Sequence, residues 1–389
     1  MAEIFQYIKM ENEERRYVCL QQSLLGLGWI LSCRKDLFVP IWPSDGSAHS
    51  IRAMFREVRH KFGLFRMNVR FLLNLFCYKY RLRKSNSELK FSFFGQMCLQ
   101  VHKGYKFFDF RKRVVRKVFD QDISTSTIMK EIESLRRVSG NDFAPNIKRW
   151  NLEEKWYEED YVDGFMDSSQ KPMDTPFLLE HFQWEVVPIL ENLMLLQKPL
   201  VKNALEYVQN VFHAKDLIEN SSRHRDPKDH YEITSFVNSL IERIKSEQDY
   251  PIQLVFSHGD FVPNNMLKTN QGIKLVDWED ANFRSALYDF YSYFFYRPLF
   301  TNTAIGNLAF EINRALPLFI GGIARKAPEL SISLGNSQDI YRRIFFIEML
   351  CKLTRREMTD TRLNIRDFMS RYLEVFSRYE ECFAIHIKN

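Results

Sequence analysis

The run Phe256-Ser257-His258-Gly259-Asp260-Phe261-Val262-Pro263-Asn264-Asn265-Met266-Leu267 decides how this chain is read. It ends an apolar stretch in His-Gly-Asp and places an asparagine five residues after the aspartate. A second apolar run then delivers Leu275-Val276-Asp277-Trp278-Glu279. Asn265 and Asp277 carry oxygen donors, which a hard Mg²⁺ ion prefers when phosphate oxygens complete its shell. At adjacent strand ends the two can share such an ion, and Asp260 is left to accept a proton from an attacking hydroxyl.

These residues resemble the catalytic and metal loops of the aminoglycoside phosphotransferase and choline kinase group of kinase-like enzymes. Members carry H-x-D-x-x-x-x-N, a strand ending in D-W-E or D-F-E, and a Y-D or F-D pair opening the next helix. Tyr288-Asp289 supplies that pair here. The resemblance implies Asp260 as catalytic base, Asn265 and Asp277 as metal ligands, and Glu279 as a further ligand or a support for them. It implies ATP and Mg²⁺ as cofactors. It places His258 in the catalytic loop as a brace rather than a proton carrier, and makes Asp289 structural as well.

The nucleotide clamp is expected upstream. Val114-Val115-Arg116-Lys117-Val118-Phe119 reads as a strand with Val115 and Lys117 on one face. By resemblance Val115 covers adenine and Lys117 reaches phosphates, steadied by Glu131 of a following helix, with Glu133 as the other candidate. Glu159-Asp160-Tyr161-Val162-Asp163-Gly164 resembles the hinge of the group, where the Asp160 carbonyl and Val162 amide would pair with adenine. The first strands contain no G-x-G-x-x-G, so Gly95-Gln96 or His102-Lys103-Gly104 would cover the phosphates. A P-loop signature is absent too.

The implied fold is α+β, a bilobal protein kinase-like fold with a small β-rich N-lobe and a large helical C-lobe. Residues 1–90 read as a basic accessory region, 91–164 as the nucleotide-binding lobe and hinge, and 165–389 as the catalytic and substrate-binding lobe. Strands are expected at Phe91–Phe94, Met97–His102, Tyr105–Phe110, Val114–Phe119 and Lys155–Val162, with a helix at Ser126–Val138. Helices are expected at Phe177–Leu196, Leu200–Phe212 and Tyr231–Lys245, strands at Gln253–Ser257 and Gly272–Asp277, and helices again from Tyr288.

Protein kinases follow the metal-binding aspartate with a long segment ending in A-P-E, on which a peptide docks. Only Trp278 to Leu287 separates Asp277 from Tyr288, which leaves no room for that platform. The acceptor is therefore expected to be a non-protein hydroxyl compound: a sugar, lipid-linked glycan or surface polysaccharide first, an aminoglycoside- or choline-type metabolite next. A nucleotide-binding pseudokinase scaffold is the contrasting reading, and the intact Asp260, Asn265 and Asp277 set argues against it. Glu180, Glu185 and Glu191 form either a solvated helix face or part of an acceptor site.

The net charge of +6 is unevenly spread. Between Arg52 and Lys117 eighteen Lys and Arg face three acids, Glu57, Glu88 and Asp109. Such a segment packs on its own lobe or touches an anionic membrane peripherally. Nucleic acid is an unlikely partner, because no recognition motif accompanies the charge. The six cysteines show no CxxC pair, the start shows no export signal, and the apolar runs are short, which together imply a cytoplasmic protein, with the inner membrane face as the place of any peripheral contact.

Overall fold

The structure is a computed structural model of the 389-residue chain. It describes residues 5–9, 16–19, 88–166, 175–212, 227–247, 250–299, 304–359 and 365–386. The sequence also predicts a strand at Trp29–Ser32 and a helix over Ile51–Tyr80, and both stretches lie outside the described residues. The chain divides into two compact units, one of Met1–Met129 with Ile147–Tyr161, the other of Lys130–Asn146 with Val162–Asn389.

The first unit is built on an eight-stranded antiparallel sheet in the order β3-β1-β2-β4-β5-β6-β8-β7. Its strands are β1 Phe5–Lys9, β2 Arg16–Cys19, β3 Glu88–Phe91, β4 Met97–Val101, β5 Gly104–Asp109, β6 Val114–Phe119, β7 Ile147–Asn151 and β8 Trp156–Asp160. β1 pairs with β3 and β2 with β4, so β1, β2 and most of β3 bring three pieces of the expected accessory region into this sheet. Alternation along the strands buries Cys98, Phe107 and Val118 with Cys19, under a rim of Phe91, Phe93, Tyr105 and Trp156. Lys103-Gly104 turns β4 into β5, and Gly104 is required there: a Cβ would lie 2.1 Å from the Val118 carbonyl oxygen. Helix α1, Thr125–Val138, starts where the Ser124 hydroxyl accepts the Thr127 amide proton at 3.2 Å. Ile128, Ile132, Leu135 and Val138 are its buried stripe.

The second unit is mostly helical, with two small three-stranded sheets, β10-β11-β14 and β13-β12-β9. Their strands are β9 Phe165–Met166, β10 Leu200–Asn203, β11 Pro251–Ser257, β12 Met266–Thr269, β13 Gly272–Leu275 and β14 Asn282–Ser285. The helices are α2 Thr175–His181, α3 Val187–Met194, α4 Ala204–Phe212, α5 Pro227–Lys245, α6 Tyr288–Tyr296, α7 Ile305–Lys326, α8 Pro328–Asn336, α9 Gln338–Thr359 and α10 Ile365–His386. Two expectations are corrected here. The single helix Phe177–Leu196 is interrupted by a π-turn at Phe182–Val186, because Pro188 has no amide proton to give the preceding turn. The helix expected from Leu200 begins at Ala204, since Leu200–Asn203 follow Pro199 and pair with β11 instead. An aromatic core of Tyr291, Phe295, Phe345, Phe346, Phe376 and Tyr379 joins α6, α9 and α10.

Candidate active site

Strand β11 ends in the apolar run Leu254–Phe256 and stops at Ser257, where the chain turns into His258-Gly259-Asp260. The turn is fixed from below by Asp289, in the first turn of α6. Its carboxylate accepts the His258 amide at 2.7 Å and the Gly259 amide at 3.0 Å. Gly259 has φ 78°, and a Cβ there would lie 2.3 Å from the Asp280 carbonyl oxygen, so no larger residue fits. His258 is fully buried with both ring nitrogens engaged: Nδ1 accepts the Asp260 amide at 3.3 Å and Nε2 donates to the Val276 carbonyl at 3.1 Å. Its ring lies 4.5 Å from that of Trp278. This is the position of a brace between two loops.

Asp260 emerges from that turn. The Asn265 amide nitrogen donates to the Asp260 carbonyl at 2.9 Å and to Oδ2 at 3.1 Å. Asn265 Oδ1 is thereby the oxygen of that side chain able to meet a cation. Antiparallel pairing of Met266 with Leu275 sets Asn265 opposite Val276, and the Val276 amide donates to the Asn265 carbonyl at 3.0 Å. Asp277 is the next residue, held in the left-handed region at φ 71° and ψ 60°. The register thus puts Asn265 and Asp277 at neighbouring strand ends. One amide oxygen and one carboxylate are a donor set suited to Mg²⁺ that also carries phosphates. Glu279 stands in the 3-10 turn Trp278–Asp280 that follows, half-buried.

Three charged neighbours of Asp260 escape a reading of the sequence. Lys352 Nζ lies 2.8 Å from Asp260 Oδ1 and 3.0 Å from Asp280 Oδ2. Arg356 binds Asp280 and lies 4.0 Å from Asp260 Oδ2. Burial opposes the charge on Asp260 and a like charge on Asp280 adds to that, but Lys352 and Arg356 outweigh both and hold the carboxyl below the usual range. Asp280 is lowered as well, against its own burial, by Lys352, Arg356 and Arg284. The one signal in the sequence is a lysine within the apolar run Ile344–Leu353, with an arginine one turn on.

The residues expected at the nucleotide fall in both units. In the first, Lys117 is fully buried on β6, beside buried Val115 on the same face, with Nζ 5.1 Å from the Phe119 ring centroid. On the other face Arg116 binds Glu158, which Arg149 also holds at 2.5 Å. Asp160 ends β8, and its carboxylate meets Lys148 at 2.9 Å. Gly95-Gln96 is tied into the sheet, Gln96 Oε1 accepting the Phe110 amide at 3.0 Å. In the second unit, Glu131 is buried on α1, and Val162 opens the segment leading to β9. The chain passes from one unit to the other after Tyr161, inside the stretch read as a hinge.

The acids of the following helices are not a solvated face. Glu191 is buried, with Lys326 at 2.7 Å, and Glu185 meets Lys268 at 2.8 Å. Glu180 alone of the three is exposed.

Residues 189–313 match the phosphotransferase enzyme family. A comparison with curated proteins finds no significant match. Among solved structures, the choline kinase of Cryptosporidium parvum Iowa II is 14% identical with a TM-score of 0.52, over 77% of this chain and 88% of that one. Choline kinase LicA from Streptococcus pneumoniae is 15% identical with a TM-score of 0.45, over 71% and 89%. The ADP-bound aminoglycoside phosphotransferase APH(2'')-Ib is 16% identical with a TM-score of 0.43, over 71% and 91%. The likeness to the first is one of fold. With the family match over residues 189–313, it bears out the resemblance read from the catalytic loop: the chain is a phosphotransferase of protein kinase-like fold.

Proposed function

We propose that the chain transfers the γ-phosphoryl group of ATP, with Mg²⁺, to a hydroxyl of a sugar or glycan. The observation that carries the non-protein acceptor is the fate of Trp278–Leu287. A 3-10 turn takes Trp278–Asp280 and β14 takes Asn282–Ser285, pairing residue by residue with β11. Nothing remains of the segment on which a peptide substrate would lie.

In the proposed step the acceptor hydroxyl oxygen attacks the γ-phosphorus, and its proton passes to the Asp260 carboxylate. The new P–O bond forms as the bond to the β,γ-bridging oxygen breaks, and ADP leaves with that electron pair. Asn265 and Asp277, with Glu279 in support, would hold Mg²⁺, which would supply charge neutralisation to the phosphates. Lys117, Glu131, Asp160 and Val162 are the residues proposed for the nucleotide. His258 and Asp289 keep the loop in shape. Within the acceptor class, the basic segment Arg52–Lys117 favours an anionic glycan, such as one carried on a lipid phosphate.

Incubation with γ-labelled ATP and Mg²⁺ against glucosamine, choline, an aminoglycoside and a lipid-linked sugar fraction tests this reading. Label in a sugar or glycan is expected. Label in choline alone would move the acceptor class, and tight Mg-ATP binding with transfer to none of them would contradict the enzyme.

A further inference from the structure

The loop that carries Asp260 supplies no cation of its own. Ser257 to Asn265 contains neither Lys nor Arg. The positive charge facing the carboxylate arrives from α9, 92 residues along the chain.

Lys352 is an unusual residue for its place. Its side chain is 7% exposed, and a buried ammonium is costly unless it is paired and fully hydrogen-bonded. It meets that condition in one way. Nζ donates to the Gly259 carbonyl at 2.7 Å and to Asp260 Oδ1 at 2.8 Å, and lies 3.0 Å from Asp280 Oδ2. Its two hydrogen bonds go to Gly259 and Asp260, and the Asp280 carboxylate pairs with its charge. With its head group held among these protein oxygens, the action of Lys352 on the reaction runs through the groups it holds. Two of them are the backbone and side chain of consecutive residues, Gly259 and Asp260. The contact fixes the turn and the carboxylate together. Arg356, one turn later, completes the arrangement by holding Asp280. On the opposite edge, Asn265 holds the Asp260 carbonyl and Oδ2. Oδ1 has the shorter, charged bond to Lys352, so Oδ2 is the oxygen better placed to take a proton.

We propose that Lys352 is a positioning residue for phosphoryl transfer, setting the orientation of Asp260 from outside the catalytic loop. The inference rests on the reading of Asp260 as the base. A carboxylate misplaced by about 1 Å costs on the order of 10²-fold in rate, while nucleotide binding need not change.

The test is a cycle of Lys352→Met and Asp260→Asn, read as kcat, KM for ATP and calorimetric Mg-ATP affinity. Lys352→Met is expected to lower kcat at least about 10-fold, with KM and affinity within about twofold of wild type. In the Asp260→Asn background it is expected to cost less than about twofold more, because its target is already gone. If Lys352→Met does not fold, Lys352→Met/Asp280→Asn removes the buried cation together with one acid it neutralises, and is read in the same way. Unchanged kcat in a folded variant overturns the proposal, as does an equal loss in both backgrounds or a parallel loss of Mg-ATP affinity. Failure of the underlying reading looks different: Asp260→Asn alone would then keep more than about half of the wild-type rate.

Discussion

Asp277 and Gly259 both adopt positive φ, at 71° and 78°, yet they answer to different demands. A non-glycine residue in this region costs on the order of 1–2 kcal/mol, and such conformations gather where function fixes the backbone. Asp277→Gly removes the strain along with the carboxylate. It is expected to stay within about 1 kcal/mol of wild-type stability while losing Mg²⁺-dependent nucleotide affinity, which melting curves and calorimetry would separate. Gly259→Ala is expected to do the reverse damage. Its Cβ would sit 2.3 Å from the Asp280 carbonyl oxygen, so stability falls by more than about 2 kcal/mol in the same melts. At this scale the candidate site was legible where it is local. Asp260, Asn265, Asp277 and Tyr288-Asp289 follow one another at readable spacings, whereas Lys352 meets Asp260 only through tertiary packing. A lysine 92 residues away carries no spacing rule that names its partner.

Among the elements, β6 and α9 show what periodicity conveys and what it omits. Alternation predicted β6 to the residue, with Val115 and Lys117 on one face, but not that Arg116 on the other would join Arg149 in holding Glu158. Burial raises the Glu158 carboxyl, yet the two guanidiniums leave it below its ordinary value. A depressed carboxyl contributes stability above its unfolded pKa of about 4.3 and loses it as pH falls toward the folded value. Wild type is therefore expected to lose melting temperature more steeply below about pH 4.5 than Glu158→Gln, and parallel curves would count against this ion pair. On α9, Glu348 is buried and accepts the Tyr207 hydroxyl at 2.5 Å, the Ser285 amide at 3.3 Å and the Ser285 hydroxyl. Glu348→Ala would orphan these donors at about 1–3 kcal/mol each, and urea unfolding should show a loss in that range or above. The interrupted helix at Phe182–Val186 and the strand at Leu200–Asn203 escaped prediction for a shared reason. Each is decided by a proline beside it and by the partner it packs on, and apolar spacing reports neither.

Across the whole molecule, the order of a β-rich region followed by a helical one was visible from the change in periodicity along the chain. The entry of Phe5–Lys9 and Arg16–Cys19 into the first sheet was not, because their partner strands lie some eighty residues downstream. Among the described residues no helix is long and apolar enough to cross a membrane. The basic segment Arg52–Lys117 is where surface contact would arise, each cation near an anionic bilayer adding about 1 kcal/mol. Co-sedimentation with anionic but not neutral vesicles, abolished by salt, is the expected outcome, and equal behaviour with both would assign the charge to the acceptor or to packing.

Asp260 is proposed to take the acceptor proton, and Asp260→Asn assayed under saturating Mg-ATP with a labelled acceptor tests that step. Its kcat is expected to fall by ~10²–10⁴-fold with Mg-ATP affinity within about twofold of wild type, since the base acts on the acceptor hydroxyl and not on the nucleotide. A variant that keeps more than about half of the wild-type rate would contradict it.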